Sequence, residues 1–231
     1  MADSTGYKFM EEIRISSFSE LHDALESLKS KQNTIFRGQK DATWPILTSV
    51  GRLQPYRDVT PEYMEKRLFQ LFRESAVPHI VHEPKSDWEW LALGQHHGLP
   101  TRLLDWSYNP MVATFFAVEN ESDTDSAIYT FWGGRMMTIE KDPHPLEVNA
   151  VVRYRPAHVT NRITAQSGLF TVHNDPGTPF EHKSLLKIVI ATDCRLDIKK
   201  TLYKYGVSRK SLFPGLDGLA ADLHWLEAKK H

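Results

Sequence analysis

Residues 110–118, Pro-Met-Val-Ala-Thr-Phe-Phe-Ala-Val, constrain this chain more than any other stretch. Asn109 stands where an N-cap belongs and Pro110 at the first helical position, so a helix starts here. That helix has almost no polar face, and a helix apolar all round must be buried. The chain's 231 residues are enough to enclose it, in one large domain or two small ones. No run approaches the ~18 apolar residues of a membrane helix.

The elements around this helix follow from local signals. Residues 15–30 read as an amphipathic helix with Leu21, Ala24, Leu25 and Leu28 on one face, and Ser17 with Glu20 as a capping box. Residues 33–39 lean towards a strand. Thr60 and Pro61 start a second helix that is expected to turn Met64, Leu68, Leu71 and Phe72 inward. Residues 86–98 read as a third, capped by Ser86 or Asp87 and ended by Gly98. Residues 101–107 are extended. Strands are expected over 126–133, 149–155, 168–173 and 185–191. A helix over 198–205 stops at Gly206, and a last one after Pro214 places Leu216, Leu219, Ala220, Leu223 and Leu226 on one face. Helices first, strands second and helices again give an α+β fold with a mixed or antiparallel sheet, in a single domain spanning residues 1–231.

Charge narrows the function. Lys plus Arg is 28 and Asp plus Glu is 29, a net charge of −1. Without a basic surplus, no global field draws the chain onto nucleic acid, although Arg153, Arg155, His158 and Arg162 form a local basic strip or a solvated strand face. A single cysteine, Cys194, and an N-terminus without a basic-then-apolar pattern predict a cytoplasmic protein with a structural thiol. No Cys/His grid or His-Glu-x-x-His spacing predicts a metal.

Four stretches are denser in polar, aromatic and glycine residues than a plain core needs: Phe36-Arg37-Gly38-Gln39, residues 95–106, Gln166 to Phe170, and Leu212 to Leu219. Arg37 at a strand end can hold a phosphate or carboxylate with two parallel hydrogen bonds, or pair with a scaffold acid such as Asp105. Gly38 would let a ligand approach the backbone. His96 and His97 point ~100° apart on a helix, so one can face a cleft. Arg102 and Asp105 can pair with each other. Trp106 is core or a stacking wall. Ser107 lies beside a helix N-terminus, which favours anions. Asp217 caps the last helix or faces a site.

The Phe-Arg-Gly-Gln motif, the block from Gln95 to Pro110 with its Ala-Thr-Phe-Phe-Ala helix, the Gln-Ser-Gly-Leu-Phe strand and the Leu-Phe-Pro-Gly-Leu-Asp-Gly-Leu end together resemble the FRG domain family, from about Ile35 to Ala220. The order of these elements is also similar to the ADP-ribosyltransferase superfamily, which implies a split sheet and an NAD ligand. On that resemblance Arg37 would hold phosphate or ribose, Ser107 would buttress it, and Trp106 or Phe170 would stack. Gln166 or Asp217 would meet the ribose, with Gly38, Gln39, His96, His97, Thr101, Arg102 and Asp105 around the ligand. The chain departs from that superfamily in having Asp-Trp-Ser for Ser-Thr-Ser and no Glu beside Gln166, and a glutamine cannot act as a base. The implied function is NAD-dependent ADP-ribosyl chemistry or NAD/ADP-ribose binding, in a toxin or phage-defence setting. The alternative is a non-catalytic module binding RNA, a nucleotide or a protein.

Overall fold

The computed structural model describes residues 10–54, 59–156 and 164–228. In chain order these residues form β1 (Glu11–Ile15), α1 (Phe18–Glu26), β2 (Ile35–Gln39), α2 (Pro61–Ala76), α3 (Asp87–His96), β3 (Leu103–Ser107), α4 (Pro110–Val118), β4 (Ser126–Phe131), β5 (Arg135–Met136), β6 (Val152–Tyr154), β7 (Gly168–Val172), β8 (Leu185–Ile190), α5 (Arg195–Lys204), α6 (Arg209–Leu212) and α7 (Leu216–Ala228). The class is α+β with mixed strand pairing. No helix among the described residues is long and apolar enough to cross a membrane.

The chain divides into two compact units. The first comprises Met1–Trp44, Ser107–Gly133 and Glu181–His231. Its strands run in the order β1-β8-β4-β2, with β1 parallel to β8 and the other pairs antiparallel. β2 shares five residue pairs with β4 but one, Phe36↔Ser107, with β3. The core of this unit lies between the strands and α1, α4 and α5, built from Leu21, Phe36, Phe115, Ile128, Ile188 and Leu202 among others. As its composition requires, α4 buries nearly every side, with Val112, Ala113, Thr114, Phe115, Ala117 and Val118 all sequestered. Asn109 caps it through Met111 N–H and Pro110 opens it.

The second unit comprises Pro45–Trp106 and Gly134–Phe180, with strand order β3-β7-β6-β5. Its core gathers Trp88, Trp90 and Leu91 of α3 with Phe69, Leu103, Val152, Tyr154 and Phe170. Thr60 and Ser86 cap α2 and α3 through Tyr63 and Glu89 N–H, as the sequence predicts.

Three expectations need correction. β1, a short strand of alternating charge and isoleucine, precedes α1, which is shorter than residues 15–30. In α2 the fully buried positions are Glu65, Phe69 and Ala76; Phe72 packs against the core as expected and Met64 and Leu68 are half-buried, but Leu71 is exposed. The stripe is shifted so that the Glu65 carboxylate lies inside, where it meets Arg102. In α7 the buried positions are Gly218 and Asp222, and the leucine face is turned out. Asp222 accepts from Ser208 Oγ (2.5 Å) and Arg209 N–H (3.0 Å) at the start of α6. Gly218 lies so close to the Phe213 carbonyl that a Cβ there would be 2.1 Å away. These two contacts set the rotation of α7 against its apolar pattern.

Candidate functional site

In the first unit the site is built on β2. Successive side chains of a strand point to opposite faces, so Phe36 and Gly38 share one face and Arg37 and Gln39 the other. Gly38 meets α4: a Cβ would come within 1.9 Å of the Ala113 carbonyl oxygen. The close approach that this glycine permits is therefore that of α4 itself. With β2 pressed on α4, Arg37 is presented on the far face.

The strand register then makes a straight row. Arg37 stands opposite Tyr129 of β4, Tyr129 opposite Lys187 of β8, and Lys187 opposite Glu12 of β1. At ~4.8 Å between strands, the two cationic positions are roughly 10 Å apart with a phenol between them. Lys187 Nζ donates to Glu12 at 2.9 Å. Tyr129 is buried, and burial pushes its phenol up to about 12, so it remains a neutral donor at physiological pH. Its hydroxyl and Gln39 Nε2 both donate to the Trp44 carbonyl, at 3.3 and 2.7 Å. Lys40 Nζ lies 5.1 Å from the ring centroid of Trp44, which is itself exposed. Two cations and a lysine-capped indole are groups that recognise phosphate and a flat ring.

Ser107 is buried, and its hydroxyl accepts from Asn109 N–H at 2.9 Å. Asn109 in turn caps Met111 N–H, and Pro110 has no N–H, so the first turn of α4 is served by its own chain. Asp217 is exposed within the first turn of α7 rather than at its N-cap.

In the second unit the predicted residues fall into two hydrogen-bonded groups. Thr101 Oγ1 donates to Gln95 Oε1 (2.6 Å), and Gln95 Nε2 donates to Asp105 (3.1 Å), which joins the end of α3 to β3. Arg102, 2 % exposed, pairs with Glu65 at 2.8 Å rather than with Asp105, and donates to the His173 carbonyl. Trp106 Nε1 donates to Thr171 Oγ1 at 2.8 Å, and that oxygen lies 2.8 Å from His173 Nε2. Phe170 stacks on Tyr154 at 6.4 Å. Gln166 is half-buried in the turn before β7. Arg153 is buried in β6, Arg155 is exposed, and His158 and Arg162 lie outside the described residues.

His96 lines a cavity of about 660 Å³ in this unit, over the face of α3 that carries Glu89, Ala92 and Leu93. His97 is exposed beside it, its ring edge-on at 5.1 Å. No group of three or more His, Cys, Asp or Glu among the described residues is placed to hold a metal ion.

Sequence reasoning finds Arg37 but not Tyr129 or Lys187, which reach it only through strand register. It also misses Glu65, whose signal is a lone acid at helical spacing with Phe69, Phe72 and Ala76. Compared with known proteins, the chain matches the model of the FRG domain over residues 32–126, from the approach to β2 to the first residue of β4. No curated protein and no solved structure matches it.

Proposed function

Since this chain carries an FRG domain over residues 32–126, we propose that it binds a phosphate-bearing nucleotide of the NAD or ADP-ribose class through the Arg37 row. The reading rests on one observation: β2, β4 and β8 align Arg37, Tyr129 and Lys187 across the sheet. A pyrophosphate carries charge on both of its phosphates, and this row offers two long cationic side chains that can converge on it from either side. Arg37 holds one phosphate bidentately and Lys187 meets the other as a point charge, while Tyr129, its hydroxyl given to the Trp44 carbonyl, is the neutral spacer between them.

The resemblance to the ADP-ribosyltransferase superfamily adds a finer reading, that of an enzyme. On that finer reading NAD is cleaved at the nicotinamide–ribose bond. Binding stands without it, because Gln166 supplies no base. A cytoplasmic setting and a toxin or phage-defence role belong to the same proposal.

Isothermal titration with NAD, ADP-ribose and a short RNA tests it. NAD or ADP-ribose binds the wild type, and Arg37→Ala weakens that binding about ten- to a hundredfold, as loss of a charge-assisted pair should. The melting temperature of the variant stays within a few degrees. Nicotinamide release from NAD would establish the finer reading. Binding of RNA alone, or no heat with either nucleotide, overturns the proposal.

A further inference from the structure

We infer that α7 is a self-association surface, on which a second copy of this chain lays its own α7 antiparallel. The observation is independent of the nucleotide reading. Leu216, Leu219 and Leu223 are 83 %, 39 % and 54 % exposed, and Leu226 is half-buried. Their spacing of three, four and three is the a/d seam of a coiled coil, narrower than the stripe of a helix that faces a globular core.

The setting of this stripe is fixed by the fold. The inward face of α7 carries Gly218 against Phe213, Asp222 against Ser208 and Arg209, and Trp225 beside Lys199 and Tyr203. At 100° per residue the leucines lie roughly 115° round the helix from that face. The polar latch at Asp222 therefore holds the leucines in solvent.

The occupant follows from the symmetry of the spacing. The interval three-four-three reads the same in both directions. An antiparallel two-fold thus sets Leu216 against Leu226 of the other copy and Leu219 against Leu223, so every layer is leucine on leucine. Ala220 comes near the two-fold axis, where a small side chain lets the backbones approach. Charge selects the direction. The antiparallel pair moves Glu227 towards the first turn of the facing α7, where the helix dipole favours a carboxylate, whereas a parallel pair leaves it at the C-terminal end, where the dipole disfavours one. Two heptads bury less than the ~1,200 Å² of a stable interface, so association is weak, on the order of 10⁻⁴ M.

Sedimentation velocity between about 10 and 500 μM tests the pairing on the whole chain. The wild type shifts from monomer towards dimer across that range, and Leu223→Glu holds it monomeric. Leu71→Glu, at the exposed leucine of α2, leaves the shift in place. The direction is read by oxidation, since Cys194 is buried. Leu216→Cys and Leu226→Cys proteins cross-link when mixed but not alone, because ten residues of helix set like positions ~15 Å apart. A chain monomeric at every concentration, a dimer that Leu223→Glu leaves intact, or a Leu216→Cys protein that links to itself overturns the inference. Circular dichroism of Leu223→Glu matching the wild type confirms that the variant folds.

Discussion

In the second unit Arg102 is 2 % exposed and meets the Glu65 carboxylate, itself 1 % exposed, through both its Nε and its main-chain N–H. In the first unit Arg195 is 4 % exposed and donates instead to four carbonyls, those of Lys40, Ala117, Asn120 and Thr124. Both units bury a guanidinium, but one neutralises it and the other solvates it with the main chain. The carboxylate solution binds α2 to β3 by a charge that is costly if left alone. The carbonyl solution ties the end of α4 to the loops around it, much as a C-cap would, and leaves no buried acid behind. Burial lowers the affinity of Arg195 for its proton, opposed by Asp125 and Asp41, yet a guanidinium stays charged.

The largest expected effect separates these solutions. Arg102→Ala strands Glu65 in the core and should cost about 3–5 kcal/mol in urea unfolding, with Glu65→Ala alone of similar size. Replacing both, as Glu65→Leu with Arg102→Met, should recover most of that loss, because an apolar pair of similar volume needs no partner. A double variant as unstable as the singles would mean that the main-chain contacts to Arg102 and His173 carry the region, not the ion pair.

Arg195→Met tests the other solution and should cost less, about 2–3 kcal/mol, because the carbonyls of Lys40 and Thr124 are half-buried and regain water. Arg195→Lys should recover only part of it, since an ammonium cannot span four acceptors as a planar fork does. Equal stability of Arg195→Lys and the wild type, read by the same titration, would reduce the contact to simple charge.

The contrast also marks what the sequence could disclose. The caps of α1, α2, α3 and α4 at Ser17, Thr60, Ser86 and Asn109 are legible because each is settled within four residues. The burial of α4 is legible because no rotation of that helix exposes a polar face. The rotations of α2 and α7 are not. In each, a polar residue with a distant partner, Arg102 for Glu65 and Ser208 for Asp222, overrides the apolar stripe. Arg37 stands out by its motif, whereas Tyr129 and Lys187 join it only when β2, β4 and β8 take their register. Gly38 shows the same limit: a glycine beside an arginine announces a close approach but not whose, and here it is α4.

A smaller effect probes the polar strip behind β3. Thr171 Oγ1 accepts from Trp106 Nε1 and shares a second hydrogen bond with His173 Nε2, each at 2.8 Å. Thr171→Val keeps the shape and removes both contacts, for an expected loss of about 1–2 kcal/mol. Trp106→Phe alone should lose less, because Thr171 keeps His173. If Thr171→Val matches the wild type in thermal unfolding, the indole and imidazole have other partners.

The smallest expected effect is a slope against pH within the second unit. Asp142 is held below the usual carboxylate range, first by its hydrogen bonds from Arg135 at 2.5 and 2.7 Å, while burial opposes. Glu65 is pushed the other way, up, by burial against the pull of Arg102. For Asp142 the folded protein binds its proton less readily than the unfolded chain. Its contribution is complete above the ordinary value of 3.8 and is lost as pH falls below it. For Glu65 the folded protein binds the proton more readily, so stability declines as pH rises from 4.5 towards the raised value. The two groups therefore bend the acid limb in opposite directions. Asp142→Asn should lower stability at neutral pH and flatten the loss below pH 4, measured as urea midpoints from pH 2 to 7. An unchanged slope would show that the Arg135 contact, with that arginine's side chain 45 % exposed, is screened by water.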